Sequence, residues 1–197
     1  RISNQKTTIW EGKVTLEQFY VIGKRWIDQY FALDCYYKID GKPVISIYDE
    51  ANFINGLGGV DQARKAMHWL REETVRAGLP GVHIQMVKWG KRQLNLSGVD
   101  GSTMQLEQLE ALHLLPFDSC THYQYAHFTN IDRDYRDILP DVLQEWADVQ
   151  ENAKVPYYPH VSIGWDNNPR FFEFRPGVTK NNPPAEVQKA FEAAKDF

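Results

Sequence analysis

Short apolar runs alternate with amphipathic stretches along most of this 197-residue chain, and this alternation constrains the fold more than any other feature. Four runs have the length and composition of buried strands, at residues 42–49, 81–88, 117–123 and 158–163. Five stretches have apolar residues at helical spacing, at residues 16–31, 60–77, 106–112, 140–149 and 184–194. The order is α-β-α-β-α-β-α-β-α, which predicts parallel β/α units in a barrel or in an open doubly wound sheet.

Local signals place the ends of these elements. Gly78 is positioned to cap the second helix, and Ser102 with Gln105 resembles the capping box of the third. Pro140 is acceptable as the first residue of the fourth helix. The run 56–59 has neither dinucleotide-binding spacing nor a phosphate-loop lysine, and we interpret it as a flexible loop. We therefore expect one β/α domain over residues 1–197.

Composition excludes several classes of protein. The net charge is −4 and no basic stripe is present, which argues against nucleic acid as a partner. No apolar run approaches the ~20 residues of a membrane span. Cys35 and Cys120 form no C-x-x-C pair, and each is predicted to be a small buried thiol and not half of a disulfide. No metal or cofactor is expected, and the sequence leaves the cellular compartment open.

The loop after the fourth predicted strand carries the most concentrated chemistry in the chain. Gly164 ends the apolar run, and Trp165, Asp166, Asn167 and Arg170 follow within six residues. An aromatic face stacks on sugar C–H surfaces, while carboxylate, amide and guanidinium groups form hydrogen bonds to hydroxyls. This set predicts a sugar-binding loop, with Asp166 also a candidate catalytic carboxylate. The alternatives are a core Trp165, a turn carboxylate at Asp166, and an Arg170 paired with Asp166 or Glu173.

Candidate residues also follow the first two predicted strands. Asp49 and Glu50 come directly after the first strand, where paired carboxylates can perform acid/base catalysis, although a helix N-cap or a solvated loop is the simpler interpretation. Tyr48 and Trp89 stand at the ends of the two strands and can line a sugar subsite.

The third predicted strand ends in a segment dense in polar aromatic residues. His122 and Tyr123 are predicted to contact substrate there. His122 and His127 lie five residues apart, which is only a weak metal signal, and no convincing third ligand accompanies them.

Three segments together resemble the glycoside hydrolase family 99-like proteins of bacterial polysaccharide systems: 36–44, 70–81 and 164–170. The resemblance implies a TIM-type (β/α)8 barrel that cleaves a glycosidic bond with two carboxylates at the carboxyl ends of its strands. Four strands are half of such a barrel, so we expect an incomplete one. The family's catalytic Glu-Trp-x-Glu is not found. Glu145-Trp146 lacks the second glutamate and precedes the motif it should follow. These 197 residues alone are therefore expected to be inactive.

A second hypothesis is a noncatalytic glycan-binding or polysaccharide-assembly domain with a compact open sheet. An incomplete barrel would expose sheet edges and self-associate, whereas a self-contained domain would be monomeric. A glycosyltransferase has little support from the sequence. Asp132-Arg133-Asp134 has the spacing of a metal-binding Asp-x-Asp motif, but it lies in a polar segment without other signs of a nucleotide-sugar site.

Overall fold

The computed structural model describes residues 12–97 and 102–197. Where the sequence predicts one domain, residue contacts group the chain into two compact units. The first unit lies within Glu11–Cys120 and the second within Thr121–Phe197. The boundary falls inside a strand, Ser119–His122, so this strand contributes two residues to each unit.

The first unit contains a parallel strand pair flanked by helices. Its elements are α1 (Leu16–Trp26), a π-helical turn (Ile27–Phe31), β1 (Lys38–Ile39), β2 (Lys42–Ile47), α2 (Glu50–Leu57), α3 (Val60–Arg76), β3 (His83–Lys88), β4 (Gln93–Ser97), β5 (Thr103–Glu107), α4 (Ala111–Leu114) and the start of β6 (Ser119–His122). β2 and β3 are parallel, with partners from Val44↔His83 to Ile47↔Met86. β1 is antiparallel to β2. The predicted α/β class with parallel strands is thus confirmed, in a mixed form that also has antiparallel pairs, while a TIM-type barrel stays a prediction.

The helix predicted from Ser102 and Gln105 begins later and is shorter than expected, since helical structure is limited to a 3₁₀ turn at Gln108–Glu110 and α4 at Ala111–Leu114. Residues 103–107 form β5, which pairs antiparallel with β4, and Leu94 lies opposite Leu106. β4 alternates exposed and buried residues, with Leu94 and Leu96 facing inward. Burial of leucines at every second position is satisfied by a hairpin, which takes Leu106 out of the predicted helix, whereas Leu109 and Leu112 lie in the helical segments that follow.

Residues 56–59 also differ from the prediction. Gly56 and Leu57 are the last turn of α2, and Gly58 is its C-cap in the left-handed region at φ 97°. A β-carbon at Gly56 would lie 2.5 Å from the backbone oxygen of Val14, so glycine is required there for close packing. Two of the glycines that suggested a flexible loop therefore shape a helix end.

The second unit contains α5 (Tyr135–Asn152), β7 (Tyr157–Tyr158) and α6 (Pro184–Asp196), together with the end of β6. α5 begins five residues before Pro140, because buried Tyr135 and Ile138 extend its inner face toward the N-terminus. Leu143 is 36% exposed and Phe191 on α6 is 57% exposed, so both are less buried than the helical patterns predict. Val142, Trp146, Val149 and Ala190 are buried as expected.

The predicted strand over 158–163 is shorter than expected, since β7 ends at Tyr158. Beyond it, side chains bind the backbone carbonyl groups that a strand partner would otherwise bind. Thr121 Oγ1 donates to the carbonyl of Tyr158 (2.7 Å), and the Tyr135 hydroxyl donates to that of Ser162 (2.7 Å). Asn182 Nδ2 donates to that of Ile163 (2.6 Å). The segment is therefore fixed without a ladder.

No helix among residues 12–97 and 102–197 has the length and hydropathy needed to cross a bilayer.

Candidate functional site

Asp49 caps the helix that follows β2. Its Oδ1 accepts from the backbone N–H of Asn52 (3.0 Å), which is the N-cap bond of α2. Its Oδ2 accepts from Asn52 Nδ2 (3.2 Å) and from Arg92 Nη2 (3.1 Å), and the ion pair is about one-fifth to one-third exposed. The N-cap interpretation of Asp49 is confirmed, and a catalytic role for Asp49 stays a prediction.

Glu50 is a fully buried carboxyl group. Its Oε2 accepts from Gln108 Nε2 (2.7 Å), while its Oε1 is buried without a hydrogen-bond partner among the described residues. Burial raises the pKa of Glu50 to about 8, against weaker lowering by its hydrogen bonds and by Arg92. Glu50 therefore keeps its proton at neutral pH, the state of a proton donor and not of a general base. Its lack of exposure leaves it no route to a ligand in this conformation.

Gln108 joins Glu50 to the end of β3. Besides its bond to Glu50, its Nε2 donates to the carbonyl of Val87 (2.9 Å), and its Oε1 accepts from the N–H of Trp89 (2.8 Å). The side chain is fully buried, and all three bonds lie within the first unit. Gln108 was not predicted, because a glutamine in a polar stretch carries no signal of a buried network partner.

Tyr48 and Trp89 lie together, as their positions at neighbouring strand ends predict. Their rings meet edge to face with centroids 4.7 Å apart, and Trp89 Nε1 donates to the carbonyl of Tyr48 (2.9 Å). The guanidinium of Arg92 lies 5.1 Å from the Trp89 ring centroid. Tyr48 is 45% exposed and offers an aromatic surface at the strand ends. Its use as a sugar subsite stays a prediction.

In the second unit, Trp165 lies among aromatic and cationic groups. Its ring centroid is 6.3 Å from that of Tyr123 and 6.1 Å from that of His127. The Arg170 guanidinium lies 5.3 Å from the Trp165 centroid, and Tyr123 stacks on His127 at 5.1 Å. We call Tyr123, His127, Trp165 and Arg170 the Trp165 cluster. Trp165 itself is partly exposed, so it is not a core residue.

His127 is the member of the Trp165 cluster that was predicted neither as a binding nor as a catalytic residue. It follows Tyr123 by four residues, and the 3₁₀ turn Tyr125–His127 brings the two rings face to face. Burial lowers the pKa of His127, so its ring is neutral at pH 7. From the sequence, His127 is considered only together with His122, as a weak metal pattern, and is not paired with Tyr123.

The loop that carries Trp165 is closed by side-chain bonds from Asn168. Its Oδ1 accepts from the N–H of Arg175 (2.7 Å), and its Nδ2 donates to the carbonyl of Arg175 (3.1 Å) and to Asp166 Oδ1 (2.6 Å). Asp166 Oδ1 also accepts from the N–H of Asn168 (2.8 Å). Asp166 is thus the turn carboxylate of the simpler interpretation, and its catalytic role stays a prediction.

Backbone contacts hold the base of the same loop. The N–H of Thr179 donates to the carbonyl of Trp165 (3.3 Å). Gly164 has φ 152°, and a β-carbon there would come within 3.1 Å of Asn182 Nδ2. A larger residue would therefore disturb the bond between Asn182 and Ile163 described above. The loop is positioned by specific bonds on both sides of Trp165.

His122 lies in the core of the second unit. Its Nδ1 is 2.6 Å from the Tyr157 hydroxyl and its Nε2 is 3.2 Å from Glu145 Oε1. The His122 side chain is fully buried and the Glu145 side chain is 17% exposed. Glu145 belongs to the Glu-Trp pair that we rejected as catalytic, and its contact is with this core histidine. The predicted contact of His122 with substrate stays untested.

The Asp-x-Asp segment is occupied by structural contacts. Asp132 pairs with Lys180 (2.9 Å), a contact that lowers the pKa of Asp132, and Asp134 pairs with Arg136 (3.1 Å). Asp134 also accepts from Asn181 Nδ2 (2.7 Å). Among the described residues, no group of three or more His, Cys, Asp or Glu residues is arranged to hold a metal ion.

Comparison with known proteins gives one match. No curated protein and no solved structure matches the chain. One family model, described as "Glycosyltransferase WbsX", matches residues 7–196. The predicted resemblance is confirmed as far as a polysaccharide-related family, although the matched description names a transferase and not a family 99 hydrolase. Because the model covers nearly the whole chain, this protein belongs to the Glycosyltransferase WbsX family.

Proposed function

We propose that this protein is carbohydrate-active and binds a polysaccharide through the Trp165 cluster. The observation that carries the proposal is the arrangement of a partly exposed indole between two aromatic rings and a guanidinium, in a loop closed by Asn168. The indole face provides apolar surface for sugar C–H groups, and Asn167 with Arg170 provides hydrogen bonds to hydroxyls. Membership of the Glycosyltransferase WbsX family supports a glycan as the ligand.

We further propose cleavage of a glycosidic bond as the reaction where the catalytic acid and the second carboxylate are supplied from outside these 197 residues, on the resemblance to family 99 given by segments 36–44, 70–81 and 164–170. Such cleavage needs an acid and a second carboxylate on either side of the bond. Both oxygens of Asp49 accept bonds from Asn52 and Arg92, and Oδ1 of Asp166 accepts from Asn168. We therefore assign these two carboxylates to architecture and binding, and we expect no hydrolysis by these 197 residues alone.

Transfer of a sugar is the second candidate, and the description of the matched family as a glycosyltransferase favours it. A transferase joins a donor sugar to an acceptor, whereas a hydrolase releases it to water. Incubation of the protein with a bacterial polysaccharide, with and without a nucleotide-sugar donor, separates the two. Mass spectrometry would detect shortened chains after cleavage and lengthened chains after transfer. Lengthening that requires the donor would overturn the hydrolase proposal, and shortening by these residues alone would overturn their expected inactivity.

Trp165→Ala is expected to weaken glycan binding by at least about tenfold, since a buried aromatic contact at a binding surface contributes roughly 2 kcal/mol or more. Trp165→Phe keeps an aromatic face and should retain most of the affinity. The measurement is a glycan-array screen followed by titration of the best binder. Tyr37→Ala is the matched control, because Tyr37 is a 70% exposed aromatic residue outside the Trp165 cluster. Equal binding by wild type and Trp165→Ala would contradict the proposed site.

A further inference from the structure

Two arginines in the Trp165 loop differ from the other arginines of the second unit. Arg133 pairs with Asp141, and Arg136 pairs with Asp134. Arg170 and Arg175, by contrast, lie over aromatic rings, 5.3 Å from the Trp165 centroid and 3.9 Å from that of Phe171. The structure gives neither of them a carboxylate partner within the described residues. Their positive charges are therefore not neutralised by this part of the protein.

Arg170 is the one of the two that adjoins the proposed binding surface. Its protein contacts are the Trp165 ring and Asn167 Oδ1, the latter 3.5 Å from Nη1 and at the limit of a hydrogen bond. A guanidinium has five N–H donors in a planar fork, so most of its donors have no acceptor among the described residues. The residue is also exposed. A planar cation held against an aromatic ring is preorganised for a carboxylate or a phosphate.

No neighbouring carboxylate forms an ion pair with Arg170 within the described residues. Asp166 is close in sequence, but it is turned toward the loop, where its Oδ1 accepts two bonds from Asn168. Lys180 has its own partner, Asp132, at 2.9 Å. His127 adds no charge at neutral pH, because burial lowers its pKa. Arg170 is thus the cation that the cluster presents to a ligand.

We propose that the Trp165 cluster selects an anionic glycan, one whose sugar carries a carboxylate or a phosphate that pairs with Arg170 while the ring stacks on Trp165. The inference rests on the proposed glycan-binding function and names the class of ligand. A neutral sugar would use the indole face but leave the guanidinium without its matching group. An anionic sugar uses both, and a charge-assisted hydrogen bond contributes more than a neutral one.

The test compares three ligand classes on one array: uronic acid oligosaccharides such as tetragalacturonate, the same oligosaccharides as methyl esters, and phosphorylated oligosaccharides such as mannose 6-phosphate glycans. Wild type is expected to bind acidic glycans at least about tenfold more tightly than their neutral counterparts. Preference for the uronates identifies the carboxylate as the source of the charge, and preference for the phosphorylated set identifies the phosphate.

Variants assign the charge to its residue. Arg170→Gln should lose the preference for acidic glycans while keeping the weaker binding of neutral ones, and Arg170→Lys should retain part of the preference. Trp165→Ala should lose the binding of both acidic and neutral glycans. Arg25→Gln on α1 is the matched control, since Arg25 is also exposed and has no ion pair among the described residues. Higher salt should weaken the acidic binding of wild type and leave Arg170→Gln unchanged.

Two results would overturn the inference. Binding of neutral and acidic glycans with equal affinity would show that the cluster does not select charge. A preference for acidic glycans that survives in Arg170→Gln would place the selecting cation elsewhere. In both cases glycan binding itself stands. Failure of wild type to bind any glycan would instead contradict the proposed function, so the two failures are distinguishable.

Discussion

Glu50→Gln is expected to stabilise the protein at neutral and mildly alkaline pH. The pKa of Glu50 is about 8 in the folded protein because the carboxyl group is buried, against an ordinary value of 4.5. Between these values the unfolded chain releases a proton that the folded protein retains. Stability contributed by this group is therefore highest below pH 4.5 and falls as the pH rises to about 8. A glutamine removes this loss, since it does not ionise.

The size of the effect follows from the interval between the two pKa values. Each pH unit in that interval corresponds to about 1.4 kcal/mol, so the expected gain in the free energy of unfolding reaches a few kcal/mol near pH 8. The glutamine can keep the bond to Gln108, because its carbonyl oxygen replaces Oε2 and accepts from Gln108 Nε2. Its amide group then takes the position of Oε1, which has no partner among the described residues.

Urea denaturation of wild type and Glu50→Gln at several pH values between 4.5 and 8 measures this difference. The two proteins should have similar stability at the acidic end and diverge steadily toward the alkaline end. Glu72→Gln is the matched control, because Glu72 is an exposed carboxylate whose side chain is 66% accessible. Glu72→Gln should change the free energy of unfolding by no more than about 0.5 kcal/mol at any of these pH values. Parallel stability curves for wild type and Glu50→Gln would show that Glu50 is ionised in the folded protein.

Glu50 also illustrates what the sequence could and could not predict. Its place after β2 follows from the apolar run predicted at 42–49, and an N-cap at Asp49 was one of the interpretations considered. Its environment as a buried neutral acid includes the hydrogen bond from Gln108, which lies 58 residues later in the chain. Gln108 comes close to Glu50 because β4 and β5, which precede it, form a hairpin. The sequence predicts a helix over 106–112 and no hairpin before it, so the partner of Glu50 could not be foreseen.

In the loop that carries Trp165, too, the sequence predicted the location of the candidate site but not the contacts within it. Local composition was enough to single out residues 164–170, because four functional side-chain types cluster within a short segment. The roles inside the loop depend on contacts that composition does not encode. Asn168 closes the loop and Asp166 is held by it, whereas the aromatic neighbours Tyr123 and His127 come from a segment about 40 residues earlier. Spacing along the chain predicts local turns well and pairings between distant segments poorly.

His122→Ala is expected to lower the free energy of unfolding by about 3 kcal/mol. The substitution leaves a cavity in the core and leaves the Tyr157 hydroxyl and Glu145 carboxylate without the histidine. An ionised carboxylate can only accept, which assigns a proton to Nε2, and in the neutral imidazole Nδ1 then accepts from the Tyr157 hydroxyl. Tyr157→Phe removes one of these bonds and should cost about 1 kcal/mol. The double variant should cost less than the sum of the single ones, since both act on one network.

The same variants decide whether His122 serves architecture or ligand binding. Its full burial and its two protein partners argue for architecture, in contrast to the substrate contact that its position at the end of β6 predicts. In His122→Ala kept folded at low temperature, affinity for the glycan bound by wild type should therefore change by less than about twofold, a difference of roughly 0.4 kcal/mol. Tyr123→Ala provides the comparison, because Tyr123 adjoins Trp165 and its removal should weaken that binding. Loss of glycan affinity in a folded His122→Ala protein, with the free energy of unfolding unchanged, would show instead that His122 takes part in glycan binding.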